Sequence, residues 1–206
     1  ADLRAISTAA VAALTSDQVV ALNSAQVGAL STTQVAALTT DQIAAMETAD
    51  VRALSSAQTA ALNTTQVAAL TSTQVQGLST GAIAGLNTAQ IAKLTTAAVG
   101  GLTTQQVSAL ETADVAALGS AQLAALSSTQ AAKLSTDQMA SLAASEVKGL
   151  TTAVVSKLSS AQLQALTTNA TASLTTSQVS ALLTSQLAVL SSTQLNALTA
   201  EQLQSL

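Results

Sequence analysis

Apolar and polar positions alternate along this chain in a fixed cycle of eight residues. Leu30-Ser31-Thr32-Thr33-Gln34-Val35-Ala36-Ala37 is a clean copy, and the register holds from Ala1 to Leu206 without insertion or deletion. With the leucine as position 1, that position is Leu in 24 of 26 occurrences, and Ile6 and Met46 fill the other two. Position 2 is Ser, Thr or Asn in 20 of 25 copies, and position 3 is Ser or Thr in 23 of 25. Position 5 is Gln, Asp or Glu in 21 of 26, and position 8 is Ala, Gly or Ser in 22 of 26. An array that keeps one register in this way buries the apolar side of each unit against its neighbours and grows a core with length rather than volume.

The spacing inside the octad is that of a helix start. A hydroxyl or amide at position 2 accepts from the backbone N–H three residues on, and the Gln or carboxylate at position 5 reaches back to the N–H of position 2; together these make a capping box. The Leu at position 1 and the Val, Ile or Leu at position 6 then stand at N′ and N4, the hydrophobic staple. The pattern predicts a helix over positions 3 to 8, about 9 Å long at 1.5 Å per residue, after which Leu-Ser/Thr redirects the chain. Small residues at position 8 let neighbouring turns approach, and Gly77, Gly85, Gly101 and Gly149 there are expected to relax the bend after each helix.

One continuous helix is disfavoured. Eight residues at 100° each turn through roughly 800°, so the apolar stripe winds about 80° per unit around the rod and no single face is buried. A β-solenoid is the alternative, favoured by the Thr and Val content. However, positions 1 and 6 have opposite parity in a strand, no turn residue recurs at a fixed place, and Ala and Gln favour helix. The fold class expected is therefore an all-α solenoid of very short helices, one per octad, as a single uninterrupted array over residues 1–206. The chain opens at position 4 and closes at position 1, as expected of a segment of a longer chain or filament. The octad does not fix how many units close one coil: Asp17 and Asp41 stand three octads apart and Asp41 and Asp137 twelve, but Glu47 and Glu111 stand eight apart.

Composition narrows the chemistry. There is no Phe, Trp, Tyr, Cys or His, and the net charge of −4 is spread thinly. This removes disulfides, thiolate metal sites, the usual general base near neutral pH and the stacking platforms and basic stripe of a nucleic-acid binder. Every octad interrupts the apolar run with Ser, Thr or Gln, so no membrane span of roughly 20 apolar residues is expected.

Glu47-Thr48-Ala49-Asp50 and Glu111-Thr112-Ala113-Asp114 bring two carboxylates three residues apart, the spacing of an acid and base pair or half a calcium site. Asp50 and Asp114 also occupy the capping position at a helix start, which is the reading adopted. Arg4, Arg52 and Lys148 at position 7, and Lys93, Lys133 and Lys157 at position 8, complement a helix C-terminus. Ser156-Lys157 lacks the pocket and oxyanion donors that a nucleophile needs. Haem needs an axial ligand, and Met46 and Met139, alone of suitable type, stand at apolar positions. The sequons Asn63-Thr64-Thr65 and Asn169-Ala170-Thr171 are ascribed to the abundance of Asn and Thr. No catalytic, cofactor-binding or metal residue is expected.

Units such as Leu62-Asn63-Thr64-Thr65-Gln66-Val67-Ala68-Ala69 and Leu102-Thr103-Thr104-Gln105-Gln106-Val107-Ser108-Ala109 resemble the octads of very large bacterial surface and secreted exoproteins. Those proteins are described as adhesin-like or as haem-utilisation proteins. The start of each unit is similar to the widespread Leu-Thr-Pro-Glu-Gln helix opening, with Ser or Thr in place of Pro. The resemblance implies an extracellular stalk, spacer or filament. Together with the residue content, the function expected is a non-catalytic rigid rod at the bacterial cell surface, without cofactor, whose expected partners are copies of itself stacked end to end or a glycan or surface ligand. The alternative function is a binding module whose repeated Thr/Gln face recognises a lattice such as ice or glycan. An outward Thr array marks that alternative, whereas hydroxyls bonded back to their own helix starts count against it.

Overall fold

A computed structural model describes residues 3–206. Among these residues there are 25 α-helices, preceded by a single 3₁₀ turn at Leu3–Ala5, and no strand. The helices run in chain order from α1 (Thr8–Ala12) to α25 (Ala200–Gln204), and every one begins at position 3 of its octad. Their ends vary between positions 6, 7 and 8, as in Thr88–Ile91, Thr32–Ala36 and Thr40–Ala45. The all-α reading therefore holds and the β-solenoid alternative falls. No helix of the described residues is long and apolar enough to cross a membrane.

Most helices begin for the reason the octad gives, and Thr48–Arg52, whose Glu47 makes no side-chain cap, is an exception. Ser31, with φ −71° and ψ 160°, lies in extended backbone and its Oγ accepts from the N–H of Gln34, while Gln34 Oε1 accepts from the N–H of Ser31 at 2.8 Å. Where position 2 has no acceptor, as at Gly119, Ala143 and Leu183, the second half of the box forms alone, to Gln122, Glu146 and Gln186. Each helix ends by tightening. The N–H of Leu38 donates to the carbonyl of Val35, three residues back, and the equivalent bond recurs at Leu54, Leu94 and Leu126. Extended backbone then redirects the chain, as at Leu70 (φ −65°, ψ 129°) and Thr71 (φ −76°, ψ 162°). No described residue has positive φ, so the glycines at position 8 do not relax the bend through a left-handed conformation, contrary to expectation.

What they supply is room. A Cβ on Gly85 falls 2.7 Å from the carbonyl oxygen and 3.0 Å from the Cα of Ser56, and one on Gly101 falls 2.8 Å from the carbonyl oxygen of Ser72. In both pairs, position 8 lies against position 3 of the third helix back. At these octads there is no room for a side chain at position 8, whereas Lys93, Lys133, Lys157 and Val189 are accommodated at the same position elsewhere.

The contacts divide the chain into two compact units, Ala1–Leu102 and Thr103–Leu206. In the first, each helix packs on the third one along, from α1 on α4 (Thr32–Ala36) to α9 (Ser72–Gly77) on α12 (Thr96–Gly101). In the second the same rule runs from α13 (Thr104–Ala109) on α16 (Ser128–Ala131) to α22 (Thr176–Ser180) on α25. Three octads therefore close one coil within each unit. The core is the seam of positions 1 and 6: Val35, Val67, Val107 and Val179 are fully buried and Leu54, Leu94, Leu134 and Leu166 nearly so. Burying such a side chain is worth about 1.5–3 kcal/mol, without which helices of four to six residues would not persist.

Gly85→Ala should lower stability by about 1 kcal/mol or more, because the new methyl meets backbone rather than a flexible side chain. Gly81→Ala, whose Cβ has only Ser79 Oγ at 4.0 Å, should be neutral or stabilising by up to ~1 kcal/mol. Thermal unfolding of the two variants checks the contrast, and equal effects would refute the packing explanation.

Candidate functional site

The most organised polar feature is the row of position-5 glutamines. Gln66 shows its construction. Its Oε1 accepts from the N–H of Asn63 at 2.7 Å, closing the capping box of its own helix, α8 (Thr64–Ala69). Its Nε2 donates to the carbonyls of Val35, Ala36 and Leu38 at 3.1, 3.3 and 2.6 Å, where α4 ends in the coil before. The same bonds, to the position-6 and position-1 carbonyls of the coil before, are made by Gln42, Gln58, Gln74 and Gln90 in the first unit and by Gln162, Gln178, Gln186 and Gln194 in the second. One amide therefore serves orphan N–H groups at one helix start and orphan carbonyls at another helix end. These glutamines are buried, and no buried side-chain N or O among the described residues lacks a partner.

The capping role of position 5 follows from the sequence, but the reach to the next coil does not. The signal for it lies in the choice of residue. A capping box needs only an acceptor, yet position 5 carries 17 Gln and one Glu, and Gln alone of the two also donates. Position 7 adds a lesser set of bonds: Arg4 Nε and Gln164 Nε2 donate to the carbonyls of Ala29 and Val189 in the following coil. Arg4 thus serves the end of a helix one coil on, where a role at its own helix end was expected.

In each carboxylate pair the position-5 member is buried and its partner is exposed. Asp50 is buried and accepts from Ser24 Oγ at 2.8 Å, reversing the polarity of the glutamine rung, while Glu47 is exposed and makes no side-chain cap. Asp114 is buried and its Oδ2 accepts from the N–H of Glu111. Burial raises its pKa above the ordinary 3.8, the backbone hydrogen bond partly offsets this, and the Glu111 charge adds to the rise. Met46 and Met139 lie in the core. Ser156 Oγ donates to the carbonyl of Ala153. Asn63 Oδ1 accepts from the N–H of Gln66 and from Thr65 Oγ1, and Thr171 of the second sequon is fully buried. Among the described residues no group of three or more Asp or Glu is placed to hold a metal ion. Two open hollows lie beside Arg52 and Lys148; the first is lined by Ser24, whose Oγ donates to Asp50, and the second by Ser145, whose Oγ donates to Glu146 at 2.8 Å.

A repeated helix start, coils of three helices and polar side chains bonded within the array define an α-solenoid repeat protein. The sequence itself gives the family: the ALTTAQ repeat matches at residues 1–32, 20–46, 43–80, 78–111 and 107–144, and the chain belongs to the ALTTAQ repeat family. No curated protein matches it.

Gln66→Glu keeps the capping acceptor and removes the donor, setting a buried carboxylate against three carbonyl oxygens. It should cost about 2–3 kcal/mol at pH 7. The loss should shrink as pH falls from 7 toward about 4, because burial raises the folded pKa of the new carboxyl and the protonated acid donates; an unchanged melting temperature at pH 7 would refute the rung. Asp114, with its pKa raised on folding, stabilises the fold below pH 3.8 and loses that contribution as pH rises through its folded value. Asp114→Asn should therefore fall less in stability than the parent over that interval, as read by denaturant unfolding at a series of pH values.

Proposed function

We propose that the chain is a non-catalytic structural array, an extracellular spacer or filament element of a bacterial surface or secreted protein. One observation carries this reading. The repeated polar side chains, hydroxyls at position 2 and amides at position 5, bond to helix ends of the same array, so adding an octad repeats the same contacts. Length is then the property that unit number sets. Membership of the repeat family supports a structural role, and the resemblance to exoprotein octads supports the extracellular setting.

The lattice-binding alternative has less support. Position-2 hydroxyls such as Ser31, Thr71 and Ser127 accept from the N–H at position 5 of their own helix, and Thr33, Thr73 and Thr129 pair with those same hydroxyls at 2.9–3.1 Å. These position-2 and position-4 hydroxyls are drawn back to the helix start, which counts against their serving as an outward array.

Arrays shortened by whole coils of three octads, viewed by negative-stain microscopy, should give particles whose length falls in step with the octads removed. Compact globules of unchanging outline would end the spacer reading. Removing the single octad 62–69 should leave the helical circular dichroism per residue unchanged, whereas removing half an octad breaks the register and should reduce it.

A further inference from the structure

We propose that Asn63 is an acceptor for an N-linked sugar on the folded chain, and that Asn169, the asparagine of the other sequon, is closed to it. Asn63-Thr64-Thr65 and Asn169-Ala170-Thr171 are equal in sequence and unequal in the fold. N-linked glycosylation asks two things of a protein: an asparagine Nδ2 open to solvent, and a reachable hydroxyl two residues on.

The cap of α8 supplies the first. Asn63 stands in extended backbone (φ −80°, ψ 167°), and its Oδ1 accepts from the N–H of Gln66 at 2.9 Å and from Thr65 Oγ1. Only the oxygen of an amide accepts from N–H, so the cap fixes which way the group faces. Nδ2 has no partner among the described residues, and Asn63 is exposed. The atom that carries the sugar is therefore the one the cap does not use, and a sugar on Nδ2 leaves Oδ1 able to hold Gln66. Thr65 supplies the second. It is exposed, and its hydroxyl is held on Asn63 itself rather than in the core.

Elsewhere in the chain the two requirements are separated. Asn23 and Asn87 cap their helices as Asn63 does, accepting from the N–H groups of Gln26 and Gln90 at 3.0 Å, but Ala25 and Ala89 stand two residues on. Asn169 is exposed and has its threonine, yet Thr171 is fully buried. Its Oγ1 donates to the carbonyl of Thr167 at 3.0 Å and accepts from Gln194 Nε2 at 3.4 Å. Access to that hydroxyl requires parting α21 (Thr168–Ala172) from α24 (Ser192–Asn196), which pack on each other. Asn196 precedes Ala197 and Leu198 and forms no sequon.

In the transfer step Nδ2 attacks the anomeric carbon of a nucleotide-activated hexose. An N–C bond forms as the C–O bond to the nucleoside diphosphate breaks, the diphosphate leaves, and one Nδ2 proton passes to a base of the transferring enzyme.

Mass spectrometry of the folded chain, after incubation with a glycosyltransferase specific for Asn-X-Thr and a uridine-diphosphate hexose, tests this. One hexose per chain is expected, on the tryptic peptide 53–93 that carries Asn63. Peptide 158–206, which carries Asn169, should accept sugar only when it is offered as a free peptide. Thr65→Ala should abolish the modification and leave the helical circular dichroism unchanged, since Ala stands at the same octad position in Ala25, Ala49 and Ala57. Thr65→Ser should retain it. A folded chain that stays unmodified at Asn63, or one that takes sugar at Asn169 as readily as at Asn63, overturns the proposal. Either result leaves the relation between length and octad number standing, so this inference and the spacer reading fail separately.

Discussion

The whole arrangement depends on one amide bonding at both ends. A helix of four to six residues exposes as many unsatisfied backbone groups as it satisfies, because its first N–H groups and last carbonyls have no partner within the helix. Residues such as Gln66 and Gln178 treat both defects together: Oε1 serves the N–H before its own helix, and Nε2 serves the carbonyls at the end of another. Because the carbonyls belong to the previous coil, local capping and coil stacking become one interaction. Neither would suffice alone. The cap fixes where the helix starts but leaves its neighbour undetermined, and apolar burial draws coils together without setting their register.

Size at position 8 follows from that coupling. An amide can reach the carbonyls of the previous coil only if the coils lie close, and the closest approach falls where position 8 meets position 3 of the coil before, as Gly85 meets Ser56. Alanine is the usual occupant, serine fits by donating back to backbone, as Ser141 does to Thr112 and Gln138, and glycine fits the tightest places. The glycines keep ordinary negative φ, so their value is the missing methyl.

The helix and its starting residue are readable because both are written inside eight residues: cap, box and staple are local, and all 25 helices begin where position 3 stands. Coil closure is not readable. It depends on the angle through which two extended residues turn the chain, and no residue type in the octad encodes that angle. Once closure at three octads is known, the spacing of Asp17 and Asp41, both in the first unit, reads as one coil. The site is half legible. Gln at position 5 reads as a cap, but its second partner lies in another coil, and only the scarcity of Glu there points to it.

Departures from the consensus are local compensations, and they come in pairs across coils. Thr59 stands at a core position otherwise held mostly by Val, Ile or Leu, and its hydroxyl is satisfied by the carbonyls of Ser55 and Ser56 and by that of Ala82 in the next coil. Position 5 of the octad three on is Ala82 itself, one of nine places without a glutamine. Asp50 likewise cannot donate as Gln does, and it takes a proton donor from Ser24 in the coil below. Both cases keep every buried polar side chain paired while changing which coil donates. In a quasi-one-dimensional array such changes disturb only the adjoining coils. The repeat can therefore absorb many substitutions singly or in pairs. It cannot absorb a change in octad length, because the coil-to-coil register that every rung uses would be lost at once.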